Sequence, residues 1–285
     1  MIVSGRRLLF VLAHPDDESF GSGGTIARYV TEGVEVYLIC ATNGDVGTVS
    51  AEMLNGYKSV AELRLAELEC ASGKLGFKKV YKFGYKDSGM MNSETSRDPA
   101  CLWQAAQAEV TRRVVEVIRE IRPQVVITFN RYGGYGHPDH IAIQRAAVEA
   151  FSLAGDAAYE TGQPPYPPQK LYYTAFPTVL VRFYVTLMRL RGQDPRRAGK
   201  NADLDFLAVL ENAEPAHARI DVRAYLQAWD EANACHASQL GGGFPRLPLF
   251  IRKLIGGAQG YTRIYPAPAY DKIDETDLFA GVLAD

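Results

Sequence analysis

Apolar residues fall along the first 175 positions in two alternating rhythms. Short, nearly continuous runs have the length and the β-branched or aromatic content of strands: RLLFVLA (7–13), EVYLICAT (35–42), KKVYKFG (78–84), PQVVITFN (123–130) and KLYYTAF (170–176). Between them apolar positions recur at three- and four-residue intervals, which predicts helices over 20–32, 56–75, 101–121 and 138–154. In the second of these Val60, Leu63, Ala66, Glu67, Cys70 and Leu75 follow the spacing loosely, and Gly76 stands where a C-terminal cap belongs. In the third, Val110, Val114, Val117, Ile118 and Ile121 make one stripe. Pro138 suits the first position of the fourth. Apolar strands alternating with helices predict an α/β fold, a Rossmann-like and mostly parallel sheet with helices on both faces.

Beyond residue 176 the pattern is less regular. Helices are expected over 179–191 and 222–239, a polar loop over 193–203 and a glycine-rich loop over 239–248. The expected organisation is one domain over 1–285. Residues 1–176 form its core, and 177–285 form a smaller, irregular C-terminal lobe that shapes the substrate site.

Charge and cysteine content narrow the function classes. The formal net charge is −2, so bulk electrostatics draws the chain neither to nucleic acid nor to anionic membrane. No run of about 18 apolar residues exists to span a bilayer. The first apolar run ends in acids and not in a small-residue cleavage site, so it reads as a strand and not as a signal peptide. Cys40, Cys70, Cys101 and Cys235 form no CxxC pair and lie among apolar neighbours; four reduced thiols in a cytoplasmic protein are expected. The expected partner is a small molecule, with a homo-oligomer left open.

The unusual chemistry falls at predicted strand ends. AHPDDE places His14, Asp16 and Asp17 after the first strand, and GHPDH places His137, Asp139 and His140 after the fourth. In a parallel sheet both ends open on the edge where ligands bind. Either phrase alone reads as an acidic helix start that complements the helix dipole. Together they supply imidazoles and carboxylates, a donor set suited to zinc or ferrous iron, and two histidines with one carboxylate make a catalytic set. A cation there also offsets the repulsion within the DDE triplet. If a helix starts at Pro138, His137 sits just before it and His140 in its first turn. GSGGT (21–25) lacks the spacing of a dinucleotide loop, and its glycines are expected to allow close backbone approach to the metal crevice. Ser19 and Ser22 lack a nucleophile-elbow setting. Asn43, Asp45 and Asp87 are candidates for sugar hydroxyls from their strand-end positions, and His217 and His236 are expected to be hydrogen-bonded structural residues.

AHPDDESFGSGGTIARY together with GGYGHPDH resembles the zinc-dependent N-acetylglucosamine deacetylases related to LmbE and PIG-L, closest to the branch acting in low-molecular-weight thiol (mycothiol or bacillithiol) biosynthesis. The resemblance extends through TNGD (42–45), RLAELECASGKLGF (64–77), KDSGM (86–90), REIRPQVVITFN (119–130), KLYYTAF (170–176), HASQ (236–239) and ETDLFAGV (275–282). It implies a hydrolase removing the N-acetyl group from a GlcNAc conjugate of the GlcNAc-inositol or GlcNAc-malate type, with Zn2+, or Fe2+, as cofactor. It implies His14, Asp17 and His140 as metal ligands and Asp16 as the general base. His137 would be the second acid–base group, stabilising the oxyanion and protonating the leaving amine, with Asp139 orienting it and keeping it protonated. Tyr135 would help polarise the carbonyl, and Arg64 would contact substrate hydroxyls or a phosphate-like group. An amidase cleaving thiol S-conjugates is the alternative. Some such amidases carry a lysine seven positions after the first histidine, where this chain has Gly21. A non-catalytic sugar- or nucleotide-binding module ranks last, because the metal set is complete.

Overall fold

The structure is a computed structural model, and it describes residues 5–199, 202–240 and 256–283. Its elements in chain order are β1 (Arg7–Leu12), α1 (Asp17–Thr31), β2 (Glu35–Thr42), α2 (Val60–Leu75), β3 (Lys79–Tyr85), α3 (Gln107–Ile121) and β4 (Val125–Thr128). There follow α4, a distorted turn over Gly133–Gly136, then α5 (Pro138–Leu153), β5 (Lys170–Thr174), α6 (Thr178–Leu190), α7 (Phe206–Glu211), β6 (Ala218–Asp221), α8 (Leu226–Cys235) and β7 (Ala258–Tyr265).

The seven strands form one sheet in the order β3-β2-β1-β4-β5-β7-β6. The first five run parallel, with Leu8 paired to Val36 on one side and Val125 on the other. β1 and β4 are buried along nearly their whole length, as strands covered on both faces must be. β7 and β6 then add antiparallel at the β5 edge. Chain direction across the sheet reverses between β1 and β4. With right-handed crossovers, this reversal puts α1 and α2 on one face and α3 and α5 on the other. α8 packs on the first pair, and α3 packs on α5. The stripe of Val110, Val114, Val117, Ile118 and Ile121 is the buried face of α3, as its spacing predicts.

Several boundaries differ from the periodicity. The helix expected over 56–75 begins at Val60, because Ser59 caps it: its hydroxyl accepts the Glu62 amide at 3.2 Å. The helix expected over 101–121 is broken. A single 3-10 turn at Leu102–Gln104 precedes extended backbone at Ala105 and Ala106. The break has a tertiary cause: the Leu102 amide donates to the Lys86 carbonyl and the Trp103 amide to Ser88 Oγ, which holds this stretch against the end of β3. The helix expected over 222–239 is only Leu226–Cys235. β6, β7 and α7 were not expected. The part of the predicted glycine-rich loop from residue 241 to 248 lies outside the described residues. No helix among the described residues is long and apolar enough to cross a membrane.

The cysteine expectation needs correction. Cys40 and Cys101 are free and buried, but Cys70 and Cys235 form a disulfide. They stand 165 positions apart in the chain, and only the packing of α2 on α8 brings them together.

Candidate active site

The site lies outside the carboxyl ends of β1 and β4, where the strand order reverses. The β1 side is a tight turn. Asp17 Oδ2 accepts the amides of Ala13 (3.2 Å) and His14 (2.7 Å), which folds the acid back over the strand end. Between them Asp16 adopts φ 137° and ψ −26°, a conformation sparsely populated by L residues. The β4 side is a glycine-rich turn. Gly133 has φ +67°, and a Cβ there would come within 2.8 Å of Ile141 Cγ1 and 3.0 Å of His140 Cβ. Its carbonyl faces His140 Nδ1 at 3.1 Å. Pro138 opens α5 with His137 as its N-cap, and His140 falls in the first turn.

These two turns bring three sequence-predicted residues together. His14 Nδ1 is 3.1 Å from His140 Nε2, His140 Nε2 is 3.3 Å from Asp17 Oδ1, and His14 Nδ1 is 3.6 Å from Asp17 Oδ2. The remaining ring nitrogens are engaged: His14 Nε2 lies 3.1 Å from Asp139 Oδ2, and His140 Nδ1 faces the Gly133 carbonyl. The His140 ring also stacks on Phe129, with centroids 3.9 Å apart. A second cluster of potential donors, His14, Asp87, His137 and Asp139, shares His14 through its other edge. Asp87 Oδ1 lies 3.5 Å from His14 Nε2 and 4.0 Å from His137 Nε2.

Asp139 is placed differently from the expectation. Its carboxylate accepts the Ser88 amide (2.9 Å) and the Ser88 hydroxyl and faces His14, while His137 Nδ1 is 4.0 Å away. What orients His137 is the Asp139 amide, which donates to His137 Nδ1 at 3.2 Å. An N–H donated to Nδ1 leaves that nitrogen bare and puts the ring proton on Nε2. Burial, aided by the neighbouring His14 and His140 charges, holds the His137 pKa well below its usual value. The same surroundings thus favour the neutral ring, and Asp139 meets His137 through its amide and not, as expected, through its carboxylate.

The other ionisable groups respond to the same crowding. Burial opposes a charged His14, yet Asp87, Asp139 and Asp17 outweigh it and hold its pKa well above the usual value. Burial also opposes an ionised Asp17, but His140 and His14 keep its carboxyl well below the usual range. Asp16 is pushed up to about 7 by burial and by the charge of Asp17, against the pull of Arg64. Tyr135 lies beside the cluster, its ring centroid 5.1 Å from that of His140, and burial raises its pKa, so the hydroxyl stays protonated.

Arg64 is almost wholly buried. Its Nη2 donates to the Pro15 carbonyl (2.7 Å) and to Asp16 Oδ2 (2.8 Å), and its Nη1 donates to the Gly44 carbonyl (3.0 Å). Gly44 has φ +65°, and a Cβ there would run into the guanidinium. Arg64 thus grips the candidate base. Two of the GSGGT glycines, Gly23 and Gly24, also serve another purpose than expected: a Cβ at Gly23 would meet Trp229 of α8, and one at Gly24 would meet Val222, while Gly21 faces open space. Gly23 and Gly24 let α1 pack closely on the C-terminal third, away from the strand-end crevice. Sequence reasoning missed Ser88 and Phe129, neither of which carries a local signal, and gave His236 no partner.

Comparison with known proteins decides the family. Residues 9–151, which include both histidine phrases, match the family described as "PIG-L: GlcNAc-PI de-N-acetylase". The chain belongs to the PIG-L family. A PIG-L relative from Thermomonospora curvata, named 1D-myo-inositol 2-acetamido-2-deoxy-alpha-D-glucopyranoside deacetylase, is 36% identical over 97% of this chain and 97% of its own. Among solved structures, N,N'-diacetylchitobiose deacetylase from Pyrococcus horikoshii superposes with a TM-score of 0.62 at 20% identity, covering 94% of this chain and 89% of that one. The Thermus thermophilus protein TT1542 gives 0.59 at 22%, covering 92% and 96%. At such identities these two structures establish the shared PIG-L fold and no more.

Proposed function

We propose that this protein is a metal-dependent hydrolase that removes the acetyl group from the 2-acetamido nitrogen of a GlcNAc conjugate, of the GlcNAc-inositol type on which its curated relatives are named to act. The observation that carries the reading is the convergence of His14 Nδ1, Asp17 and His140 Nε2, with separations of 3.1, 3.3 and 3.6 Å. Donors about 2.0–2.2 Å from a tetrahedral ion stand roughly 3.3–3.6 Å apart. Asp17 meets His140 through Oδ1 and His14 through Oδ2, and the two ring nitrogens at 3.1 Å are close to that spacing, so a small opening of the group would seat a cation. Each ring is oriented by a partner on its other nitrogen, as ligand histidines are. Zinc is the proposed ion; ferrous iron takes the same donors. When bound, it would polarise the amide carbonyl and acidify water.

The chain's own groups then divide the proton work. Asp16, with a carboxyl pKa near 7, is suited to take the proton of the attacking water and to pass it to the departing nitrogen as the C–N bond breaks. His137 holds its proton on Nε2 and offers it as a hydrogen bond to the oxyanion, with Tyr135 as a second donor. Acetate and a free amine result. Asp139 acts through His14 by its carboxylate and through His137 by its amide.

Of the sugar-hydroxyl candidates, Asp87 is buried, accepts the Gly89 amide at 2.8 Å and faces His14 and Arg64, so it is engaged within the protein. Asn43 Oδ1 accepts the Asp45 amide and Asp45 Oδ1 accepts the Asp87 amide, so both are used in building the loop. The chain beyond residue 176 shapes the conjugate end of the site in this reading: Gln239 lies against Gly47, beside Arg64. The test is acetate release from a panel of GlcNAc conjugates, using metal-stripped protein with zinc or ferrous iron added back. Metal-dependent release, fastest on GlcNAc-inositol, is the expected result. Cleavage of thiol S-conjugates without acetate release from any sugar would overturn it.

A further inference from the structure

The candidate base is held in an uncommon backbone conformation, and its grip on the fold runs through residues far away in the chain. Asp16 at φ 137° persists only where its surroundings over-determine it. Its carboxylate is held by Arg64. Its amide donates to Glu18 Oε2 at 3.0 Å. Glu18 is 0% exposed, an unusual position for a carboxylate, and its other oxygen accepts the Ser19 hydroxyl (2.6 Å) and meets His236 Nε2 at 2.7 Å. His236 is also 0% exposed. Its Nδ1 has no hydrogen-bond partner among the described residues, so Glu18 is the polar group that accounts for a buried imidazole here.

The far end of this chain of contacts is anchored twice. His236 directly follows Cys235, whose disulfide reaches Cys70 on α2. Two residues further on, the Ser238 amide and hydroxyl both donate to the Glu67 carboxylate, also on α2, at 2.8 and 2.6 Å. Because α2 carries Arg64 as well, both grips on Asp16, at carboxylate and at amide, return to the α2–α8 pair. We propose that Glu18 and His236 form a buried positioning pair that fixes the Asp16 backbone, and hence the reach of its carboxylate. His236 belongs to the C-terminal third, so this pair makes that segment part of the reaction's geometry. The inference rests on the assignment of Asp16 as the base.

The experiment uses metal-loaded enzyme. His236→Ala is expected to lower kcat about 10- to 100-fold, the scale of an ångström-sized misplacement, with KM within about threefold, since in the base assignment Asp16 acts in the chemical step and not in holding the sugar. Bound metal measured per chain should stay at the wild-type value, because the pair touches none of the three proposed ligands. His236→Gln, whose amide can still donate to Glu18, should recover most of kcat. Glu18→Ala should match His236→Ala, and the double variant should lose no more than the worse single. His236→Leu fills the space without a donor and carries the same expectation should the alanine variant not fold. Wild-type kcat in His236→Ala or His236→Leu, loss of bound metal, or a glutamine variant no better than alanine would each overturn the pair's role. Absence of metal-dependent acetate release from the wild type would remove the functional reading itself, which is a different result.

Discussion

Arg64 separates two readings that make opposite predictions. If it contacts substrate, Arg64→Ala should raise KM and leave the protein's melting temperature unchanged. The structure argues for the other result. The guanidinium is 3% exposed, donates to two backbone carbonyls and to Asp16, and lies 3.8 Å from Asp87. Truncation leaves the Pro15 and Gly44 carbonyls short of a donor and the partly exposed Asp16 carboxyl without its counter-charge. A charge-assisted hydrogen bond contributes about 1.5–3 kcal/mol, and removing one partner of a buried pair costs about 3–5 kcal/mol. These figures overlap and do not add, so a loss of about 3–5 kcal/mol is expected. At about 2–4 °C per kcal/mol, melting should fall by roughly 6–20 °C. Activity should fall with it. Arg64 restrains the Asp16 pKa, so its loss lets that carboxyl climb further above about 7 and leaves less of it ionised at neutral pH. Asp16 itself remains, so kcat should fall about tenfold for each pH unit its carboxyl pKa climbs, short of the roughly 10²–10⁴-fold that a general base contributes in full. Lysine keeps the charge but cannot fork to all three acceptors, so Arg64→Lys should fall between. Thermal melts and steady-state acetate release on the same metal-loaded samples decide it. A melting temperature within about 2 °C of wild type together with a raised KM and normal kcat would refute the reasoning.

Three further outcomes test other parts of the fold. Glu275 takes Lys170 at 2.6 Å, Arg263 at 2.7 Å and the Tyr172 hydroxyl at 2.5 Å, so Glu275→Ala leaves the buried Lys170 ammonium without a counter-charge, while Arg263 keeps its two hydrogen bonds to Asp274. Chemical denaturation should show a loss of about 3–5 kcal/mol, with kcat of the folded protein near wild type; a loss under 1 kcal/mol would contradict the burial argument. Reducing the Cys70–Cys235 bridge should destabilise by about 2–5 kcal/mol, because it releases a long loop in the unfolded chain. Melts of the wild type with and without reductant should differ while those of Cys235→Ser do not, and coincident wild-type curves would count against the bridge. The last concerns pH. Burial works against a charged His236, but its hydrogen bond to Glu18 and that carboxylate's charge outweigh it and raise its pKa. A raised folded-state pKa stabilises fully below the unfolded value near 6.5 and is lost as pH rises through the folded value. The stability advantage of wild type over the non-titrating His236→Gln should thus be greatest at about pH 6 and decline toward pH 9; an advantage that grows with pH would be inconsistent with a His236–Glu18 ion pair.

What the sequence reveals and what it conceals follows the range of the forces involved. The parallel strands are legible because burial on both faces writes itself into consecutive apolar residues, as in Leu8 to Leu12 and Val125 to Ile127. Both histidine phrases are legible for a related reason. Each sits within a few residues of a strand end, so local spacing and the position of Pro138 place His14, Asp17, His137 and His140 on one edge. β6 and β7 give no such signal, since ARID and AQGYTRIY become strands only by pairing at an edge that β5 supplies. The neutral state of His137 is hidden as well. Its carboxylate neighbour by sequence, Asp139, turns to Ser88 and His14, and Ser88 reaches it from a loop 51 residues away.

The hardest feature to read is the conformation of Asp16, and the reason is physical. Nothing in HPDDE demands φ 137° at its third residue; the local chain would avoid it. It is imposed by Arg64, 48 positions on, and by Glu18, which is itself engaged by His236, 218 positions further. Such a constraint exists only once α2 and α8 have packed and Cys70 has met Cys235. The proposed ligands of this site are therefore specified locally and its proposed base is specified globally. Substitutions that loosen the α2–α8 contact should on this argument lower turnover before they lower metal affinity, because they reach Asp16 through Glu18 and Arg64 while leaving His14, Asp17 and His140 on their own strand-end turns.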